Sequence, residues 1–151
     1  MSNHPSITFG AAPLSIEDIV AFARTDVQAQ ISDDDSLREK IDSAVTFLND
    51  LLAKEGVIYG VTTGYGDSVT VGIPLQLVQE LPLHLTRFHG CGLGQYFSNA
   101  QSRAILATRL TSLTQGYSGV SWPLLSLLRD MINQHILPLI PQEGSVGASG
   151  D

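Results

Sequence analysis

Apolar residues along the chain recur mostly at intervals of three and four positions, which predicts amphipathic α-helices. The longest such stripe begins near Ser36, whose side chain would form a capping box with Glu39, and it runs to Gly56. Its apolar members are Leu37, Ile41, Val45, Leu48, Leu51 and Leu52. The acidic run at 33–35 lies at the start of this helix, where the helix dipole favours negative charge, and we interpret it as solvated.

Two further helical stretches are predicted on either side of this one. Ser15 is expected to cap a short helix that ends near Arg24. Pro74 opens an apolar stretch that continues to Leu85 and is expected to bend at Pro82, because proline lacks the N–H of a continuous helix.

The last third of the chain predicts two more helices. Ser98 or Asn99 caps a helix that ends at Gly116, and the segment 121–123 starts another that ends before Pro138. The inward side chains of the final helix are expected to be Leu124, Leu127, Leu128, Met131 and Ile132. We interpret these stripes as core or subunit-interface surface and predict a mainly α fold, with short strand and glycine-rich loop segments.

Composition and charge exclude several classes of function. The chain has 151 residues, of which 43% are hydrophobic, enough for an ordinary globular core. A net charge of −7 argues against nucleic acid or an anionic membrane as a partner. The single Cys91 fits a reducing cytoplasm, and four scattered histidines do not have metal-ligand spacing, so no metal site is predicted. We expect a cytoplasmic protein without a membrane span.

A glycine-rich segment from Tyr59 to Gly66 reads YGVTTGYG. Its three glycines permit positive φ or close packing against a ligand, and it carries two phenols, at Tyr59 and Tyr65. A phenol in a dry site can act as an acid or a base. The alternative interpretation is a glycine-rich turn between a strand at Val57-Ile58 and a helix, with tyrosines in the core.

The run of small residues at 147–150 permits an unusual backbone reaction. If the Gly150 amide attacks the Ala148 carbonyl and water leaves, a five-membered imidazolone ring forms, and loss of water from Ser149 leaves an electrophilic methylidene. Glycine is needed at the attacking position because a side chain would block the approach. By itself, such a run is usually only a turn.

Three segments together resemble one family. They read YGVTTGYG, LTRFHGCGLG (85–94) and PLIPQEGSVGASGD (138–151), and in order and spacing they are similar to the aromatic amino-acid ammonia-lyases and 2,3-aminomutases. The resemblance runs from about residue 14 to the end. It implies the helical ammonia-lyase fold, with residues 1–151 as a single N-terminal segment of a larger enzyme.

The resemblance also implies roles for individual residues. Ala148-Ser149-Gly150 would form the 4-methylidene-imidazole-5-one (MIO) cofactor, to which the substrate amine adds, and no external cofactor is expected. Tyr59 would be the base that removes the β-proton. Asp151 would support the turn of the triad, and Gly66 would bind substrate in a mobile lid that carries Tyr59. Tyr65 stands where most relatives have Phe, so we assign it to packing.

Phe88-His89 stands where the family selects the substrate ring. A His at the second position resembles histidine- and tyrosine-specific members, whereas phenylalanine-specific members tend to carry Phe-Leu. The alternative is that His89 is a structural histidine.

We therefore expect deamination of an aromatic L-amino acid, with tyrosine or histidine favoured, to an aryl acrylate and ammonia. Relatives are homotetramers, so a homo-oligomer is expected. The alternatives are an aromatic amino acid 2,3-aminomutase, which forms a β-amino acid, and a non-catalytic helical domain that keeps these motifs as structure.

Overall fold

The computed structural model describes residues 5–54 and 56–144. In this part of the chain the prediction of a mainly helical fold with short strands is confirmed. The α-helices are α1 (Ile16–Arg24), α2 (Asp35–Ala53), α3 (Leu81–His89), α4 (Asn99–Leu113) and α5 (Trp122–Asn133). The strands are β1 (Ser6–Phe9), β2 (Gln28–Ile31), β3 (Leu93–Tyr96) and β4 (Pro141–Glu143). None of the helices in the described ranges is long and apolar enough to cross a membrane.

The described residues form two compact units. The first contains 5–48 and 97–140, and the second contains 49–54, 56–96 and 141–144. The division falls inside α2, whose last residues belong to the second unit.

The first unit is built on a two-stranded parallel sheet. β1 pairs with β2 and α1 forms the connection between them, as a parallel pair requires a crossover. α4 packs against α1 and α5, and α5 also packs against β2. The buried apolar side chains are Phe9, Phe22, Ala29, Leu37, Ile41, Leu106, Ala107, Leu110, Leu113, Leu125 and Ile132. These side chains exclude water from a single core, which is the main stabilising contribution of the unit.

Two of the predicted helix starts are confirmed by capping boxes. Ser15 accepts a hydrogen bond from the Asp18 N–H, and the Asp18 carboxylate accepts one from the Ser15 N–H. Ser98 and Gln101 make the same reciprocal pair at the start of α4. Each box satisfies two backbone donors that a helix leaves unpaired at its first turn.

The predicted capping box of Ser36 and Glu39 is wrong. α2 begins at Asp35, and it is the Asp34 carboxylate that accepts a hydrogen bond from the Ser36 N–H, at 2.8 Å. This hydrogen bond lowers the pKa of the Asp34 carboxyl from its usual value. Asp and Ser are both good caps, and in this structure Asp34 is the residue that caps the helix.

The predicted bend at Pro82 is also wrong, because the stretch is two separate helices. A 3-10 turn at Leu75–Leu77 comes first, and α3 then begins at Leu81 with Pro82 in its first turn. Proline is well suited to this position, since the N–H that it lacks would have no helical partner there.

The predicted inward face of α5 needs one correction. Leu125 and Ile132 are fully buried, whereas Leu124 and Leu127 remain 39% and 56% exposed. The sequence offers the consecutive pairs 124–125 and 127–128, and helical spacing alone does not decide which member of each pair turns inward.

Arg103 of α4 lies inside the first unit with only 3% of its surface exposed. Its guanidinium packs 4.4 Å from the centre of the Phe22 ring and donates hydrogen bonds to the carbonyls of Phe22 and Val27. Burial lowers the pKa of this guanidinium from its usual value, and the nearby Asp26 carboxylate opposes that shift. Arg103 therefore links the end of α1 to α4 through hydrogen bonds and packing.

The second unit holds an antiparallel pair. β3 pairs with β4, from Leu93 opposite Glu143 to Tyr96 opposite Pro141. A Cβ on Gly92 would collide with the Pro141 ring, so a residue larger than glycine would push the two strands apart.

Candidate active site

The segment 56–65 is a compact loop between α2 and a 3-10 helix at Gly66–Thr70. Val57 and Ile58 lie in irregular structure, so the strand of the alternative interpretation does not form at these residues. The Val61 and Thr62 N–H groups both donate to the Ile58 carbonyl, which closes a tight turn around Tyr59.

Tyr59 projects a half-exposed phenol, with 52% of the residue accessible. Its Oη accepts a hydrogen bond from the Gly66 N–H at 2.8 Å. The contact joins the beginning of the loop to the first residue of the 3-10 helix. A backbone donor is thereby aimed at the phenol oxygen, where it would also stabilise negative charge.

The Tyr65 ring packs edge-on against the Tyr59 ring. Their centroids are 6.1 Å apart and the ring planes meet at 82°, the T-shaped arrangement that aromatic pairs favour. Gly60 has a φ of +70°, and a Cβ there would stand 2.7 Å from Cε1 of the Tyr65 ring. Glycine at this position is thus required both by the backbone and by the ring above it.

Glycine is required at position 66 for a different reason than at position 60. Its φ is +55°, yet among the described residues, apart from its two chain neighbours, no atom lies within 4 Å of the position that a Cβ would occupy. Only the backbone conformation demands glycine here, and the N–H of this residue donates to Tyr59 Oη.

Thr62 and Thr63 turn their hydroxyls onto the loop backbone. Thr62 Oγ1 accepts from the Ile58 N–H at 2.8 Å, and Thr63 Oγ1 accepts from the Gly60 N–H at 3.1 Å. Thr63 is 4% exposed. Our sequence analysis did not single out this pair, although two adjacent threonines between glycines are a recognisable signal for side-chain bonds to a turn.

A short strand-like contact pairs the end of the loop with the residues around Gly72. Thr63 and Gly72 form an isolated antiparallel bridge, in which the Gly64 N–H donates to Val71 and the Ile73 N–H donates to Thr62. An open cavity of about 280 Å³ lies beside it. Its lining residues are Gly56, Val57, Thr62, Ile73, Pro74 and Leu75. Tyr59 is not among them, so this cavity is separate from the phenol.

The other predicted site residues are less fully described. Phe88 and His89 are the last residues of α3, and their side chains lie outside the described part of the structure. The triad Ala148-Ser149-Gly150 and Asp151 lie outside the described residues altogether. The structure therefore brings Tyr59 and Gly66 together, and the remaining roles stay predictions. Among the described residues, no group of three His, Cys, Asp or Glu side chains could hold a metal ion.

The amino-acid sequence is similar to that of a known enzyme. The chain is 37% identical over 145 residues to histidine ammonia-lyase from Streptococcus pyogenes, a match that covers 96% of this chain and 28% of that protein. The chain thus spans little more than a quarter of the length of this curated relative.

Two solved structures also superpose on this chain. Ergothionase from Treponema denticola superposes with a TM-score of 0.85 at 31% identity, over 93% of this chain and 28% of that one. Tyrosine aminomutase from Streptomyces globisporus superposes with a TM-score of 0.86 at 28% identity, over 93% and 26%. The profile of the aromatic amino acid lyases matches residues 14–151, and the chain belongs to that family.

Proposed function

We propose that the complete protein releases ammonia from an aromatic L-amino acid and leaves an aryl acrylate. The observation that carries this proposal is the Tyr59 phenol oxygen, held by the Gly66 N–H at 2.8 Å in a chain that belongs to the lyase family. Deamination requires a base for the weakly acidic β-proton of the substrate, and a positioned phenolate meets this requirement.

The loop geometry supports that role for Tyr59. The Gly66 N–H stabilises the phenol oxygen when it carries negative charge, and the Tyr65 ring packs edge-on against the Tyr59 ring. The phenol is half-exposed, so a substrate could reach it. The proton moves from the substrate β-carbon to Tyr59 Oη as the amine leaves.

Ala148-Ser149-Gly150 is the proposed source of the MIO cofactor, with Asp151 in support. When formed, this group supplies the electrophile that makes the amine a leaving group. Glycine follows Ser149, as ring closure at that nitrogen requires. No external cofactor is proposed.

Histidine is the substrate that we propose first, and tyrosine is the next. The S. pyogenes relative is named a histidine ammonia-lyase, and this chain has His89 at the position where the family selects the ring. Phe88 precedes it, and we propose that the two residues contact the substrate ring. A homo-oligomer, expected to be a tetramer from the family resemblance, is part of the proposal, as is a cytoplasmic location.

A 2,3-aminomutase is the second candidate. Its support is the superposition on tyrosine aminomutase, with a TM-score of 0.86. A mutase would return ammonia to the β-carbon before release.

One experiment distinguishes the two candidates. The complete protein is incubated with L-histidine, L-tyrosine and L-phenylalanine in turn, and acrylate absorbance, ammonia and β-amino acid are followed together. The lyase proposal expects acrylate and ammonia in equal amounts without β-amino acid. β-Amino acid that appears before free acrylate would support the mutase, and no product from any substrate would contradict both.

A further inference from the structure

The two backbone N–H groups on either side of Tyr59 are each held by a threonine hydroxyl. The Ile58 N–H donates to Thr62 Oγ1 at 2.8 Å, and the Gly60 N–H donates to Thr63 Oγ1 at 3.1 Å. Neither residue belongs to a helix or strand. The two side chains therefore supply the hydrogen bonds that regular secondary structure would otherwise give to this part of the chain.

Both hydroxyls also donate, so their own hydrogen-bonding capacity is used within the loop. Thr62 Oγ1 donates to the Gly56 carbonyl at 3.1 Å, and Thr63 Oγ1 donates to the Gly64 carbonyl at 2.9 Å. Thr62 thus links the Ile58 N–H to the Gly56 carbonyl, and Thr63 links the Gly60 N–H to the Gly64 carbonyl. The position of the Tyr59 Cα is fixed from both sides.

Burial makes the Thr63 contacts hard to replace. The residue is 4% exposed, and a buried hydroxyl or amide that loses its partner has little water to replace it. The Gly60 N–H would be the group left without an acceptor. The peptide plane that carries this N–H also contains the Tyr59 Cα, so a shift of the plane would move the ring that is joined to this Cα through Cβ.

We propose that Thr62 and Thr63 are positioning residues for Tyr59, which set where its phenol oxygen stands for removal of the substrate β-proton. This rests on the proposed function, in which Tyr59 is the base. The threonines do not touch the substrate in this account. They act through the backbone at Ile58 and Gly60, and their loss should therefore lower kcat more than it raises KM.

The test uses the complete protein and the variant pair Thr63→Val and Thr63→Ser. Valine keeps the shape of threonine without the hydroxyl, whereas serine keeps the hydroxyl. We expect Thr63→Val to lower kcat roughly 10- to 100-fold, in line with the cost of misplacing a reacting group by about 1 Å. KM should change little, and Thr63→Ser should recover most of the loss.

A matched control separates positioning from stability. Thr114 is 3% exposed and donates to the Thr111 carbonyl at the end of α4, so Thr114→Val also removes a buried hydroxyl from a backbone hydrogen bond. We expect it to lower the melting temperature and to leave kcat near that of the wild type. Equal loss of kcat in Thr114→Val and Thr63→Val would overturn the proposal.

The double variant Tyr59→Phe/Thr63→Val decides whether Thr63 acts through Tyr59. If it does, the double variant is no slower than Tyr59→Phe alone, because the oxygen being positioned is already gone. Losses that multiply would overturn the positioning role while leaving Tyr59 as the base. A Tyr59→Phe enzyme as fast as the wild type would instead overturn the proposed function, and the positioning role with it. Should Thr63→Val fail to fold, Thr62→Val and Thr62→Ser are judged by the same criteria.

Discussion

The Oη of Tyr59 accepts a hydrogen bond from the backbone N–H of Gly66, at 2.8 Å. The donor belongs to a residue with a φ of +55°, a backbone conformation that residues with a Cβ rarely adopt. The placement of the phenol therefore depends on a backbone geometry that only glycine adopts without cost.

Alanine at Gly66 should weaken this contact. The methyl group would meet no other described residue, so the cost comes from the backbone, about 1–2 kcal/mol for a left-handed conformation. We expect Gly66→Ala to lower both the melting temperature and kcat, measured by thermal unfolding and by ammonia release from the complete protein.

Gly72 offers a control for the previous substitution. A Cβ there would also meet open space, but Gly72 is not among the glycines with positive φ. Gly72→Ala should leave both measurements close to the wild type. If the two alanine variants behave alike, the conformation of Gly66 does not matter to Tyr59.

Replacement of Ser149 tests the source of the electrophile. Alanine has no hydroxyl to lose as water, so Ser149→Ala should abolish turnover without unfolding the protein. Intact mass spectrometry should find the wild-type protein lighter than its sequence by two water molecules. A folded Ser149→Ala protein that retains substantial turnover would rule out this serine as the precursor.

His89→Leu tests the choice of substrate. If His89 bonds a polar group of the ring, its loss leaves that group without a partner, which costs about 1–3 kcal/mol. We expect kcat/KM for histidine or tyrosine to fall relative to that for phenylalanine by the corresponding factor. The ratio of the two values is the quantity to compare, because any loss of folded protein cancels. An unchanged ratio would make His89 a structural histidine.

The cap of α2 predicts a dependence of stability on pH. The hydrogen bond from the Ser36 N–H lowers the pKa of Asp34 in the folded chain, so its contribution is complete above the unfolded value of about 3.9. The part of the contribution that depends on the charge disappears as the pH falls through the lower folded value. Asp34→Ala should therefore reduce the melting temperature at neutral pH by more than it does in strong acid.

Asp34→Asn is the matched variant, since an amide oxygen caps a helix at any pH. It should keep most of the stability at neutral pH and lose the acid dependence that arises at this residue. A gap between wild type and Asp34→Ala that is the same at all pH values would show that the carboxylate does not act as the cap.

The sequence predicted most helix positions because caps and apolar spacing are local signals. Ser15 and Ser98 begin α1 and α4 as expected. At α2 two suitable caps lie two residues apart, and local rules do not choose between Asp34 and Ser36.

The candidate site was predicted in part. The glycines and the Tyr59 phenol could be identified in the sequence because a glycine-rich turn that carries tyrosines is recognisable from residue types alone. The roles of Thr62 and Thr63 could not, because a threonine hydroxyl can bond several nearby backbone groups, and only the folded turn decides that these two accept from the Ile58 and Gly60 N–H groups.

The central claim is that Tyr59 is the base of an ammonia-lyase, and ammonia release by Tyr59→Phe tests it most directly. A positioned base is worth about 10²–10⁴-fold in rate, so kcat of the complete protein with L-histidine should fall by that factor. The melting temperature should hardly change, because phenylalanine keeps the ring that packs against Tyr65. A folded Tyr59→Phe protein that releases ammonia within a few-fold of the wild-type rate would contradict the claim and make Tyr65 the next candidate.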